Sequence, residues 1–110
     1  MKTLSGKSKC TVAVDIDGII TNETEGHDYH CRTPNKENIA KLNAAYNNGH
    51  KIILFTARYQ IDASVTFKWL HDHGVHFHEV IFGKPQYDFL IDDKAFNSFE
   101  ALHAHVYKGD

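Results

Sequence analysis

A chain of 110 residues has room for one hydrophobic core, so a single domain over residues 1–110 is expected. Its composition, 42% hydrophobic and 24% charged, is that of an ordinary soluble globular protein. A formal net charge of -2 excludes a global attraction to nucleic acid or anionic membrane and leaves the recognition of charge to a local site. No apolar run approaches the roughly 20 residues of a membrane span. Residues 1–9 lack the apolar core of a secretory signal and read as the polar leader of a cytoplasmic protein. Cys10 and Cys31 make no disulfide framework, and Cys10 reads as a buried, reduced thiol.

In chain order, residues 10–16 (Cys-Thr-Val-Ala-Val-Asp-Ile) form a short, β-branched and nearly continuous apolar run, as expected of a strand covered on both faces. Comparable runs follow at 51–55, 79–82 and 89–91. Between the first two lies a helical pattern: Thr33 suits the N-cap, Pro34 the first turn, and Ile39, Leu42, Ala45 and Tyr46 share one face. Asn48-Gly49 ends it. A second helix is predicted over about 61–73, with Ile61, Val65, Trp69 and Leu70 inward and Gly74 as its stop. A third starts near Asn97 or Ser98 and carries Phe99, Leu102 and Val106. Strands alternating with helices imply a parallel sheet with right-handed crossovers, a small three-layer α/β domain of Rossmann-like type. Residues 18–33 interrupt the alternation. This polar stretch is too long for a tight connection and reads as a flap inserted after the first strand.

Polar signals stand at the predicted strand ends: Asp15-Ile-Asp17-Gly18-Ile-Ile-Thr21, then Thr56, then Lys84, then Asp92-Asp93. In a parallel α/β sheet these ends share the edge where ligands bind. The residue types suit phosphoryl transfer. Crowded carboxylates repel one another unless a cation lies between them, and oxygen-only donors suit magnesium. Magnesium and the Lys84 ammonium would neutralise phosphate charge, while the Thr56 hydroxyl and backbone N–H groups at Gly18 and Ala57 could hold its oxygens. An aspartate can attack phosphorus to give an acyl phosphate. A second carboxylate two residues on can protonate the leaving oxygen and later deprotonate water.

Taken together and in this order, Asp15-x-Asp17-Gly-x-x-Thr21, Thr56, Lys84 and Asp92-Asp93 resemble the four motifs of the haloacid dehalogenase-like superfamily over about residues 10–96. The resemblance implies Asp15 as nucleophile and metal ligand. It implies Asp17 as general acid/base, lending its backbone carbonyl to the metal, and Thr56 and Lys84 as phosphoryl-binding groups. Asp92 would be a direct metal ligand, with Asp93 beside it. An acid at position 17 matches the phosphatases of the superfamily rather than its carbon–halogen hydrolases. The usual insertion points hold only residues 57–60 and the 18–33 flap, so the chain is similar to the capless branch. The stretches Phe55-Thr-Ala-Arg58 and Phe82-Gly-Lys-Pro85 are also similar to small phosphatases of capsule and surface-polysaccharide synthesis.

Plainer readings stand beside these. Thr56 could cap a turn, Lys84 could be a solvated loop charge, Asp93 could brace the following turn, and Arg58 could either clamp a substrate anion or sit in an ion pair. His71, His73, His76 and His78 straddle a helix end and a loop, a poor frame for tetrahedral zinc. His27, His30 and Cys31 in the flap make a better trio but lack a fourth ligand. His103 and His105 read as surface residues on the last helix. Tyr29 and His30 are candidates to touch the leaving group. A receiver-type signalling domain shares clustered aspartates, a threonine and a lysine, but orders them differently. A phosphate-binding protein without turnover fits the same residues. Expected of the enzyme are a Mg2+ cofactor, a small phosphorylated substrate (a sugar phosphate first, a nucleotide or polynucleotide end second) and no long nucleic acid, since no basic aromatic groove is visible. An open, capless site favours a bulky substrate or completion by a second copy in a homo-oligomer.

Overall fold

Three of the four apolar runs form strands, β1 (Thr11–Val14), β2 (Lys51–Phe55) and β3 (Glu79–Ile81). They make one parallel sheet in the order β1-β2-β3. The computed structural model describes residues 9–22 and 29–108. Three helices complete it, α1 (Lys36–Asn47), α2 (Ala63–Asp72) and α3 (Phe99–Lys108). The architecture is α/β and Rossmann-like, and no cap domain is present among the described residues. Residues 1–8 of the leader and residues 23–28 of the flap lie outside the described residues.

Burial explains why these segments hold. Ile52 and Leu54 of β2 are fully buried, as are Leu42 of α1 and Leu70 of α2. Each such side chain contributes about 1.5–3 kcal/mol by leaving water. Ile16 and Ile20 join the same core from the turn after β1, and Phe99 brings the start of α3 onto it. Among the described residues β1 lies at the sheet edge, and it alternates: Val14 is buried while Thr11 and Ala13 are exposed, where the apolar run predicted cover on both faces.

Other expectations shift. Asn35, not Thr33, caps α1 through a 3.0 Å bond from the Asn38 N–H. Pro34 instead pairs with Thr21 in an isolated antiparallel bridge, which keeps residues 33–34 outside the helix. A 3-10 turn, Gln60–Asp62, precedes α2, and this places Ile61 on the surface at 89% exposure rather than on the inner face. α3 opens as expected, with Ser98 Oγ accepting the Ala101 N–H. Residues 89–91 are not a strand. Phe89 and Ile91 are almost wholly exposed, and a three-residue apolar run has nothing to hold it extended without ladder partners.

Candidate functional site

Parallel register brings the strand ends together. Val14 pairs with Leu54, and Phe55 pairs with Ile81, so Asp15, Thr56 and residues 82–84 leave the sheet along one edge. Backbone bonds then stitch the loops to each other. The Thr56 N–H donates to Ile81 O, the Lys84 N–H to Thr56 O at 2.9 Å, and the Gly83 N–H to Arg58 O at 2.8 Å. Gly83 takes a φ of 82°, which a side chain would strain.

After β1 the chain turns sharply. Ile16 O accepts bonds from the N–H groups of Ile19, Ile20 and Thr21, and Gly18 adopts a φ of 89°. That turn aims two carboxylates outward. Asp15 Oδ1 accepts the Ile16 N–H at 2.8 Å, and Asp15 Oδ2 lies 3.4 Å from Lys84 Nζ. Burial pushes the Asp15 carboxyl above its usual range, against the pull of Lys84 and of the Ile16 N–H. For Lys84 burial works downward, but the Asp15 charge and a hydrogen bond with Tyr87 outweigh it and raise the ammonium's pKa. The Lys84 cation also faces the rings of Phe55 and Tyr87.

Asp17 is held more firmly. Arg58 Nε donates to its Oδ2 at 2.9 Å and Arg58 Nη2 to its Oδ1 at 2.8 Å, a bidentate pair. Thr21, itself buried, donates its hydroxyl to Asp17 Oδ1 at 3.4 Å and accepts the Gly18 N–H. Arg32 Nε lies 3.8 Å from the same oxygen. Two carboxylates thus stand among three cations, a balance that suits a bound anion.

Among the residues singled out in the sequence, the structure gathers Asp15, Asp17, Gly18, Thr56, Ala57, Arg58 and Lys84 around this edge. Thr56 is buried, and its hydroxyl accepts the Arg58 N–H, so the turn-capping role is present. Arg58 is only 2% exposed and spends its guanidinium on Asp17 and Thr66. Asp92 and Asp93 are exposed on the irregular segment before α3, where Asp92 Oδ1 accepts the Lys94 N–H. Among the described residues no three His, Cys, Asp or Glu side chains cluster as a metal site. The expected set of Asp15, Asp17, Asp92 and Asp93 is therefore not assembled. What Asp15 and Asp17 offer is hard oxygen donors, the type magnesium takes, and magnesium needs only one or two protein carboxylates when waters and phosphate oxygens complete its shell.

Sequence reasoning missed Arg32, Thr66 and the anchoring of the flap. Trp69 Nε1 donates to Arg32 O at 2.9 Å, and the flap's base is closed by bonds from the Asn22 N–H to Thr33 O and the Asn35 N–H to Ile20 O. No local pattern announces such contacts between distant segments. The histidines pack rather than converge. His78 Nδ1 accepts the Ile52 N–H and its ring stacks on Tyr46, His76 meets Tyr46 edge-on, and His73 lies against Trp69. His27 lies outside the described residues.

No known protein-family model matches the chain, and no curated protein matches it. Solved structures do. A protein of Vibrio cholerae, known from a crystal structure, aligns with 94% of this chain and 100% of its own at a TM-score of 0.71 and 27% identity. A chain from the Pnkp1/Rnl/Hen1 complex aligns with 76% of this chain at a TM-score of 0.60 and 21% identity. A chain from a structure described as the Pnkp1/Rnl/Hen1 RNA repair complex aligns with 93% at 0.60 and 15% identity. The matches cover only 31% and 32% of those two chains, and they are likenesses of fold.

Proposed function

We propose that this chain is a magnesium-dependent phosphatase that hydrolyses a phosphomonoester through an aspartyl-phosphate on Asp15. The observation that carries the reading is the Asp15 carboxylate at the open edge of a parallel sheet, 3.4 Å from Lys84 Nζ and two residues from a second carboxylate fixed by Arg58. In the first step an Asp15 oxygen attacks phosphorus, the ester P–O bond breaks, and the leaving oxygen takes a proton from Asp17. In the second, water attacks phosphorus, Asp17 takes its proton, and the acyl-phosphate bond breaks to release inorganic phosphate and restore Asp15. Lys84 balances charge on the phosphoryl oxygens throughout. Asp15 and the Asp17 backbone carbonyl would hold magnesium, which supplies charge neutralisation when bound.

A sugar phosphate is the preferred substrate, on the resemblance to phosphatases of surface-polysaccharide synthesis. The fold likeness to chains of an RNA repair complex makes a phosphorylated oligonucleotide end the second choice. Phosphate release from sugar phosphates, nucleotides and a phosphorylated oligonucleotide, with magnesium and with chelator, tests both. Release that needs magnesium and falls by at least roughly 1,000-fold in Asp15→Asn is the expected result. Phosphate release equal in wild type and Asp15→Asn would falsify the assignment of the nucleophile. Magnesium binding with no release from any compound would leave a phosphate-binding role.

A further inference from the structure

We propose that Arg58 and Tyr29 form a clamp that positions the Asp17 carboxyl, so that the flap acts on proton transfer to the leaving group. The inference rests on the phosphatase reading and reassigns an arginine expected at the substrate. A substrate clamp must present its N–H groups to solvent. Arg58 does the reverse: it is 2% exposed, with Nε and Nη2 on the two oxygens of Asp17 and Nη1 on Thr66 Oγ1 at 2.9 Å. Three bonds in one plane fix the guanidinium, and a bidentate pair transmits that plane to the carboxylate.

The face of the guanidinium is covered by Tyr29, whose ring centroid lies 3.8 Å from Arg58 Cζ. Stacking at this distance excludes water from one face and adds a cation–π attraction. Tyr29 opens the 3-10 turn Tyr29–Cys31 of the flap, and α2 anchors the same segment through Trp69 and Arg32 O. The chain of contact therefore runs from flap to Tyr29, to Arg58, to Asp17. Asp17 keeps a side chain 31% exposed, so a face of the carboxyl remains open to a leaving oxygen. Arg58 and Tyr29 touch neither substrate nor phosphorus in this scheme; both are positioning residues.

In the first step a positioned acid matters only where the leaving group needs a proton, and kcat/KM reports that step. The later deprotonation of water by Asp17 is common to both substrates. The test therefore compares an alkyl phosphate with 4-nitrophenyl phosphate, whose phenolate departs without one, in wild type, Arg58→Lys, Tyr29→Leu and Tyr29→Phe. For Arg58→Lys, kcat/KM on the alkyl phosphate is expected to fall about 100-fold and on the aryl phosphate less than about 5-fold, since general acid catalysis contributes about that much. Tyr29→Leu should show the same selectivity at smaller amplitude, and Tyr29→Phe should restore most of it. Equal losses on both substrates, or a rise in KM with kcat held, would overturn the clamp and return Arg58 to a structural or substrate-binding role.

A wild type that hydrolyses neither compound would count against the phosphatase reading instead. Amide and guanidinium NMR then decides the clamp without turnover. The Arg58 Nε–H should exchange slowly in wild type and at least about 10-fold faster in Tyr29→Leu and Asp17→Ala, as expected when a buried charged hydrogen bond is loosened. An exchange rate unmoved by Tyr29→Leu would sink the link to the flap.

Discussion

At the scale of single residues, burial makes the ionised Asp15 carboxylate costly to the fold. Asp15 is pushed above its usual range chiefly by burial, and the Lys84 attraction does not make up the difference. A carboxyl whose native pKa exceeds its unfolded value binds its proton more tightly when folded. Its contribution to stability is then full below the ordinary value of 3.8 and lost as pH rises through the native value. At neutral pH the ionised group is a cost that the amide does not carry. In chelator, Asp15→Asn is expected to unfold at a Tm no lower than wild type at about pH 7, with any advantage fading toward about pH 3. Thermal denaturation followed by circular dichroism across this range checks it, and a less stable variant at neutral pH would mean that the ion pair with Lys84 outweighs burial.

At the scale of elements, short caps and loop-to-loop bonds decide where the pieces stop. Asn35 satisfies the Asn38 N–H at the start of α1, and Pro34 is diverted to the bridge with Thr21. Removing the cap in Asn35→Ala is expected to cost about 1 kcal/mol by urea unfolding, while Thr33→Ala should cost less than about 0.5 kcal/mol. The reverse ranking would restore Thr33 as the cap. From the sequence Thr33 was the expected cap, although Asn is the stronger capping residue in isolation. Pro34 made residue 33 the stronger choice locally, and only the pairing of residue 34 with the end of the first turn overrode it.

At the scale of the whole molecule, one apolar layer joins sheet to helices. Leu54→Ala in β2 should cost about 2–5 kcal/mol, whereas Ile61→Ala should stay within about 0.5 kcal/mol of wild type. Leu54 is fully buried and Ile61 is 89% exposed, although the apolar run at 51–55 and the helical spacing over 61–73 placed both inside. Denaturant midpoints of the two variants measure that difference directly; comparable losses would put Ile61 back in the core.

Much of this protein was determined by local chemistry. The β-branched runs at 11–14 and 51–55, the turn chemistry at Gly18 and Gly49, and apolar spacing in 36–47 were enough to specify parallel strands and crossover helices, because backbone and solvation preferences act over a few residues. Parallel pairing then required Asp15, Thr56 and Lys84 to emerge on one edge. Other features depended on contacts between distant segments. Whether Phe89, Leu90 and Ile91 found a strand partner, whether Arg58 faced a ligand or Asp17, and whether Tyr29 covered it were set by tertiary packing. An apolar run or a charged side chain carries the same local signal with either partner, and the free energy that chooses comes from neighbours tens of residues away.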